Sequence, residues 1–162
     1  MATGPVSSNV FNSISTYLKE NDISFRSIQH EPTYTSEQSA QVRGEDLSIG
    51  GKALVMKIDD KFHLFVLSAS KKCDSKRIKE YLKTKKIRFA TNEELMNLTG
   101  LVPGSVPPFG QPILPFELHV DESIVQNEKI AFNAGDLIQS IIMLVKDYLN
   151  VTKAHIFLFS SD

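Results

Sequence analysis

The chain has no tryptophan and only one cysteine, Cys73, among its 162 residues. A single thiol excludes an internal disulfide framework and agrees with a reducing compartment, so the cytoplasm is the expected location. No apolar run approaches the roughly 18 residues that a membrane-spanning helix needs. The first residues contain neither a basic region nor an apolar core, so we expect no secretory signal and no membrane partner.

The usual sets of catalytic and metal-binding residues are missing as well. No Gly-x-Ser-x-Gly segment is present to hold a serine nucleophile. The four histidines, His30, His63, His119 and His155, show no metal-ligand spacing, and one cysteine cannot build a zinc site. The sequence therefore predicts neither a metal nor another cofactor.

The charge is nearly balanced, at a net −1, but it is unevenly distributed. Nine of the 18 basic residues lie between Lys71 and Arg88, where only Asp74 and Glu80 oppose them. Such a cluster on one helix and its flanks fits the phosphate backbone of a nucleic acid. A solvated helix face explains the cluster equally well.

The chain length fits one domain, 1–162, and we expect residues 1–7 to be disordered. Hydrophobic periodicity and capping residues predict helices at about 8–20, after Thr35, after Asp74 and after Thr91, with Gly44 and Gly100 ending two of them. Predicted strands lie near 23–28, 52–58, 62–67, 87–89, 118–120, 130–132 and 156–159. The segment 136–148 suits either a helix or a strand. Interleaved elements with hairpins favour an α+β fold with a mixed sheet.

The segment Gly104–Gly110 contains two glycines and two prolines in seven residues. Proline fixes φ and lacks an amide donor, so the segment cannot continue a helix or a central strand. In a stiff loop, exposed N–H groups can bind an anion or a developing oxyanion. A structural turn between strands is the plainer alternative.

Lys52 begins a strongly apolar strand. Alternation places it on the same face as Leu54, Met56 and Ile58, where a charged group needs an anionic or carbonyl partner. The alternative is a lysine that reaches into solvent from the end of the strand. Lys57, on the other face, is interpreted as structural or solvated.

The order of these features resembles the YbaK/ProX family of aminoacyl-tRNA deacylases, which is related to the editing insertion of bacterial prolyl-tRNA synthetases. The resemblance runs from about Ile23 to the C-terminus and includes Gly104 and Pro108 as a Gly-x-x-x-Pro motif. The other matching segments are His30-Glu31-Pro32 with Thr35 and Glu37, 52–56, 62–67, 74–78 and Asn133-Ala134-Gly135. The family fold is a mixed, partly barrel-like sheet flanked by helices, and it implies a strand at 136–141 and a helix only after about Leu144.

The resemblance implies a free-standing hydrolase that removes a wrong small amino acid from tRNA, most often tRNA for proline. Backbone groups would stabilise the oxyanion, while the tRNA's ribose hydroxyl or the substrate side chain assists the attacking water. Aminoacyl-tRNA is the implied partner, and prolyl-tRNA synthetase is a second candidate. Three alternatives stay open: a non-catalytic module that binds tRNA or a synthetase, an editing domain separated from a longer synthetase, and a small-ligand or structural α+β protein.

The resemblance also assigns residues to roles. Lys52, Gly104 and Pro108 are the implied catalytic residues. Cysteine-directed members carry an acidic residue where Ser140 stands, so alanine, serine, threonine or another small amino acid is the expected substrate. The implied substrate-binding residues are His30, Thr35, Ser105, Val106, Phe109, Asn133, Ala134, Gly135 and Ser140, and the implied contacts to the tRNA backbone are Lys71, Lys72, Lys76, Arg77 and Lys79.

Overall fold

A computed structural model describes residues 6–162 of the chain. Its six helices begin and end close to the capping residues of the sequence. The hydroxyl group of Thr35 accepts a hydrogen bond from the Gln38 amide, and Thr91 forms a reciprocal capping box with Glu94. The helices are α1 (Val6–Glu20), α2 (Ser36–Arg43), α3 (Ser75–Leu82), α4 (Asn92–Thr99), α5 (Glu122–Val125) and α6 (Val145–Thr152). None of the helices described is long and apolar enough to cross a membrane.

Ten strands alternate with these helices. The apolar hairpin predicted from the sequence is β2 and β3, which pair along their whole length from Gly51↔Ser68 to Ile58↔Lys61. The strands are β1 (Phe25–Gln29), β2 (Gly51–Ile58), β3 (Lys61–Ser68), β4 (Lys72–Cys73), β5 (Ile87–Phe89), β6 (Glu117–Asp121), β7 (Lys129–Asn133), β8 (Gln139–Leu144), β9 (His155–Phe157) and β10 (Ser160–Ser161).

The strands form three sheets. The largest has the order β5-β2-β3-β6-β9, in which β3, β6 and β9 run parallel and the other pairs are antiparallel. The antiparallel sheet β1-β8-β7 lies beside it, because a parallel bridge joins Gly50 to Ala131. The third is the short pair β4-β10. This arrangement confirms the predicted α+β fold with a mixed sheet flanked by helices.

Two apolar clusters form the core. The larger includes Ile14 and Leu18 of α1, alternate residues of the sheets, and Phe109 and Phe116 from the proline-rich segment. The smaller lies on the other face of β2 and β3 and includes Met56, Phe65, Ile78 and Phe159. Since side chains alternate along a strand, each strand of the β2–β3 hairpin contributes side chains to both clusters.

The structure corrects several details of the sequence reading. The strands predicted at 118–120 and 130–132 belong to different sheets, and helix α5, which was not predicted, lies between them in the chain. The strand expected at 136–141 is Gln139–Leu144 instead. Helix α1 includes residues 6 and 7, which we expected to be disordered; residues 1–5 lie outside the described part. The pair β4–β10 was missed, because two-residue strands carry no periodic signal.

Candidate active site

A cleft of about 280 Å³ lies between α2, the start of β2 and the beginning of the proline-rich segment. We call it the editing cleft, after the activity that the resemblance implies. It brings Lys52 and Gly104 together, as the sequence predicts. Its lining residues are Thr33, Tyr34, Thr35, Ser36, Ser39, Arg43, Gly50, Gly51, Lys52, Ala53, Leu54, Ala69, Pro103, Gly104, Val106, Asn133 and Leu137.

Lys52 reaches the editing cleft from β2 and is partly buried. Its Nζ donates a hydrogen bond of 2.7 Å to the backbone carbonyl of Lys71. A charged group on this apolar face of the strand needs an anionic or carbonyl partner, and the Lys71 carbonyl is one. Burial lowers the pKa of the Lys52 ammonium group, while the negative charge of Glu37 partly counteracts that effect. A carbonyl does not neutralise the ammonium charge, so the group can still attract an anionic ligand.

Arg43, the last residue of α2, is a cleft residue that the sequence reading missed. Its side chain is only 8% exposed, and burial lowers the pKa of its guanidinium group to about 10. It forms no ion pair with any residue from 6 to 162. A basic residue in the last turn of a helix is ordinarily read as a response to the helix dipole, so no local signal distinguished it.

Arg43 is held by a polar network rather than by a carboxylate. Its Nε donates to the Ser140 hydroxyl at 2.9 Å, and its Nη2 donates to Asn133 Oδ1 at 3.1 Å. Asn133 in turn donates from Nδ2 to the carbonyl of Gly104 at 2.8 Å. The network thus connects α2, two strands and the Gly104 loop around the cleft wall.

His30 belongs to the same network but does not line the editing cleft. Its Nδ1 lies 2.8 Å from the carbonyl of Glu31, and its Nε2 lies 2.8 Å from the Ser140 hydroxyl. Because a carbonyl only accepts, Nδ1 carries a proton. The single proton of the Ser140 hydroxyl has two acceptors within reach, His30 Nε2 at 2.8 Å and Asn133 Oδ1 at 3.3 Å. His30 therefore positions Ser140, and Ser140, itself fully buried, positions Arg43.

Two residues from the first half of the Gly104–Gly110 segment, Gly104 and Val106, line the editing cleft. Gly104 has φ +87°, a conformation that strains residues with a side chain. The N–H groups of Gly104 and Val106 donate no hydrogen bond to any acceptor in the described part of the chain. Unpaired N–H groups of such a loop can bind an anion or an oxyanion.

The second half of that segment lies in the core. Phe109 is 1% exposed and packs edge-on against Phe132 and Tyr148. The Tyr148 hydroxyl donates to the carbonyl of Pro108 at 2.6 Å. Pro108 and Phe109, two of the predicted site residues, therefore support the cleft from behind and do not line it.

The remaining predicted substrate-binding residues divide in the same way. Ser105 and Ala134 are buried, and the Ser105 carbonyl accepts from the Gly135 amide at 3.0 Å. Thr35 does line the editing cleft, where it also caps α2. Beside it stands Tyr34, which is 74% exposed and was not predicted from the sequence.

The basic cluster begins at the edge of the editing cleft, because the Lys71 carbonyl is the acceptor for Lys52. Lys71 pairs with Asp162 and Arg77 pairs with Asp74. Lys72, Lys76 and Lys79 are exposed and form no ion pair among residues 6–162. Burial raises the pKa of the neighbouring Cys73 thiol to about 11, so this thiol stays protonated at neutral pH.

Comparison with known proteins agrees with the order of these features. Residues 30–151 match the model of the aminoacyl-tRNA editing domain family. The chain is 32% identical over 142 residues to the Multifunctional Ser/Thr-tRNA deacylase ProXp-y of Escherichia coli (strain K12), with 84% of each protein covered. It is 26% identical over 144 residues to the Prolyl-tRNA editing protein ProX of Acetoanaerobium sticklandii, covering 85% of this chain and 87% of that protein.

A solved structure shows the same fold. The crystal structure of a putative trans-editing enzyme for prolyl tRNA synthetase superposes with a TM-score of 0.84 at 22% identity. The superposition covers 99% of this chain and all of the other. At 22% identity this likeness concerns the fold alone. Because 99% of the chain is covered, the shared fold extends over nearly all of it.

Proposed function

Because this chain belongs to the aminoacyl-tRNA editing domain family, we propose that it is a deacylase that hydrolyses the ester between a wrong amino acid and the terminal ribose of tRNA. The observation that carries the proposal is the editing cleft itself. Its lining residues include Arg43, whose buried guanidinium group has no carboxylate partner among residues 6–162, and Lys52, whose ammonium group is partly buried. They also include Gly104 and Val106, whose N–H groups donate to no acceptor in the described part of the chain. Such donors suit an ester carbonyl and a phosphate.

The chemistry follows from which groups line the cleft. None of its lining residues is an aspartate, a glutamate or a histidine, so the described wall contains no carboxylate or imidazole general base. An aminoacyl ester is already activated, and positioning with oxyanion stabilisation supplies most of the rate. In the proposal the N–H groups of Gly104 and Val106 receive the oxyanion, and a ribose hydroxyl of the substrate assists the attacking water.

Lys52 and Arg43 have separate roles in this proposal. Lys52 lies beside the basic cluster, so it holds the terminal phosphate or ribose of the tRNA. Arg43 lies beside Asn133 and Ser140, where it orients the aminoacyl group or its carbonyl oxygen. Tyr34, exposed at the rim, offers a ring on which the terminal base can stack.

Serine and threonine are the amino acids that we propose first. The wall around Arg43 is polar and includes Thr33, Ser39 and Asn133, which can bond a substrate hydroxyl group. The volume of about 280 Å³ limits the group that fits. The relative from Escherichia coli is named as a Ser/Thr-tRNA deacylase, which supports the same choice. Alanine remains in the test as the discriminating substrate, since a site that bonds the substrate hydroxyl should reject an amino acid that lacks it.

The test is a deacylation assay on a panel of charged tRNAs. The panel contains tRNA for proline carrying alanine, serine, threonine or cysteine, together with seryl- and threonyl-tRNA. We expect release of serine or threonine and a fall of about 10²-fold in kcat/KM for Lys52→Ala, the loss typical of one positioned donor. No release from any member of the panel would refute the proposal.

A matched control lies on the same strand. Lys57 is on the opposite face of β2 from Lys52, its Nζ lies 5.8 Å from the ring centroid of Phe62, and it does not line the editing cleft. Lys57→Ala should therefore keep the parent rate. An equal loss in both variants would assign the effect to β2 as a whole and not to the cleft lysine.

The exposed lysines of α3 and its flank carry the proposed contact with the tRNA backbone. Replacing Lys72, Lys76 and Lys79 together should raise KM and reduce the salt dependence of binding while kcat is kept. Salt-dependent binding of tRNA without turnover by the parent would favour the alternative of a non-catalytic binding module. We propose the cytoplasm as the location, because aminoacyl-tRNA is used there, and prolyl-tRNA synthetase as a candidate partner.

A further inference from the structure

A second polar cluster lies outside the editing cleft, on the parallel strands β3, β6 and β9. His63 on β3 is in register with Glu117 on β6, and His119 on β6 is in register with His155 on β9. Parallel pairing thus brings three of the four histidines of the chain and one carboxylate to one end of the large sheet. Neither the editing cleft nor the proposed reaction uses them.

The side chains of this cluster point at one another. His63 Nδ1 lies 2.9 Å from His119 Nε2 and 3.6 Å from Glu117 Oε2. The other oxygen of Glu117 lies 2.9 Å from His155 Nε2. One ligand atom from each of His63, Glu117 and His119 lies within 4.8 Å of the other two.

From this geometry we propose that His63, His119 and Glu117 form a binding site for a divalent transition metal, with Zn²⁺ as the best fit. Two imidazole nitrogens and one carboxylate oxygen are the ligands of many open zinc sites, and the fourth position belongs to water or an external ligand. The proposal is independent of the deacylase function, since none of the three residues lines the editing cleft.

The adjustment that a zinc ion requires is small. At Zn–N distances of about 2.0–2.1 Å, tetrahedral ligand nitrogens lie about 3.3 Å apart, so the two imidazoles must separate by a few tenths of an ångström. The planes of the two rings differ by 20°, and their centroids lie 5.2 Å apart. The 2.9 Å between the two nitrogens is the length of a hydrogen bond. One ring must therefore turn so that the lone pairs converge on the ion.

His63 is the ring that turns. His119 is held between Phe65, whose centroid lies 4.8 Å away, and Phe157, at 5.8 Å. His63 is at the surface of a second cleft, of about 590 Å³, which Glu117 and His155 also line. Rotation about χ2 of a histidine is soft, and the cleft provides both the space and an entry path.

The affinity of this site for a metal ion depends on two further groups, His155 and Nδ1 of His119. His155 holds the outer oxygen of Glu117 and so orients the carboxylate, as outer partners of metal ligands commonly do. Nδ1 of His119 is buried without a hydrogen-bond partner among the described residues. When Nε2 binds the metal, the proton must stand on that unpaired Nδ1, so we expect weaker binding than at a structural zinc site.

Titration of the chelator-treated full chain with Zn²⁺ alone, followed by calorimetry, tests the proposal. We expect one equivalent bound per chain and no uptake of Mg²⁺, which prefers oxygen ligands. With Co²⁺ in place of Zn²⁺, the absorption bands of a tetrahedral site should appear. His63→Gln should weaken Zn²⁺ binding by at least the roughly 10- to 100-fold that loss of an outer partner causes, and Glu117→Gln should also weaken it.

The choice of variants makes the result of the zinc titration decisive. His119 is 2% exposed, so its replacement should lower stability as well as remove a ligand, whereas the His63 and Glu117 side chains are 12% and 50% exposed and give the cleaner binding test. His30→Gln is the matched control, because it removes a histidine outside the cluster and should bind Zn²⁺ like the parent. No Zn²⁺ uptake by the parent, or equal affinity in the parent and both cluster variants, would overturn the proposal.

Discussion

The wall of the editing cleft differs from the packed interior behind it in the hydrogen bonding of its polar groups. Among residues 6–162, the N–H groups of Gly104 and Val106 at the wall donate to no acceptor, and no carboxylate pairs with Arg43. In the interior, the carbonyl of Pro108 receives the Tyr148 hydroxyl, and the Ser105 carbonyl receives the Gly135 amide. The same short segment, Gly104–Gly110, contributes to both regions.

The difference shows how a loop can hold donors ready for a ligand. A flexible loop with unpaired N–H groups would turn them toward water or toward its own carbonyls. Here Phe109 is packed among aromatic rings and Gly110 has no room for a side chain, since a Cβ there would lie 2.4 Å from the Phe116 carbonyl oxygen. Packing on one side therefore fixes the unsatisfied donors on the other.

The largest effect should come from the interior. Phe109→Ala leaves a cavity among Phe132, Tyr148 and Tyr17, and it should reduce the free energy of unfolding by about 3–5 kcal/mol. Denaturant unfolding measures this loss. Phe89→Ala is the control, because Phe89 is 57% exposed and its removal should cost only about 0.5 kcal/mol. Similar losses in both variants would break the comparison.

A pH series tests the interior at His119. Burial, with help from His63 and His155, lowers the pKa of His119 to about 4, from an ordinary 6.5. The unfolded chain binds this proton first, so the stability contribution is complete above about pH 6.5, declines toward pH 4 and is lost below it. The decline amounts to about 3 kcal/mol.

Unfolding at pH 7.5 and pH 4, with a chelator present, provides the measurement. Other groups titrate in this range, so the informative quantity is the difference between the parent and His119→Gln. The variant should lose less stability between the two pH values than the parent. Equal losses would mean that His119 keeps its ordinary pKa in the folded protein.

A smaller effect, confined to the cleft wall, is expected for Gly104→Ala. A left-handed backbone costs a residue with a Cβ about 1–2 kcal/mol. The loop can relieve that strain by moving its N–H groups, which should reduce kcat/KM by about tenfold. Gly100→Ala is the control, since Gly100 also has a positive φ, of 74°, but does not line the cleft. That variant should lose stability and keep its kcat/KM once folded.

The smallest effect should follow Tyr148→Phe, which removes one buried hydroxyl and leaves the Pro108 carbonyl without its donor. We expect a loss of about 1 kcal/mol in unfolding free energy and little change in kcat/KM. Tyr81→Phe, at a ring that is 55% exposed, should be neutral. A loss of activity without a loss of stability in Tyr148→Phe would place this tyrosine in the function of the wall rather than in its support.

Much of the fold could be predicted because its signals are local. Thr35, Thr91 and Gly44 mark helix ends through hydrogen bonds within a few residues, and alternation along 52–58 defines the two faces of β2. The segment at 136–148 could not be assigned from its residues alone, because a short apolar run suits a buried strand and a helix equally. The resemblance to a family supplied that assignment, and the strand was displaced by three residues.

Local patterns in the sequence are enough to place the ends of most elements, to put Lys52 on one strand face with apolar neighbours and to identify Gly104–Gly110 as a loop. They do not show which residues meet. Arg43 bonds Ser140 across 97 positions of sequence, and His63 meets His119 across 56. The reason is physical: caps and periodicity act within a few residues, whereas the register of paired strands sets which distant side chains share a site.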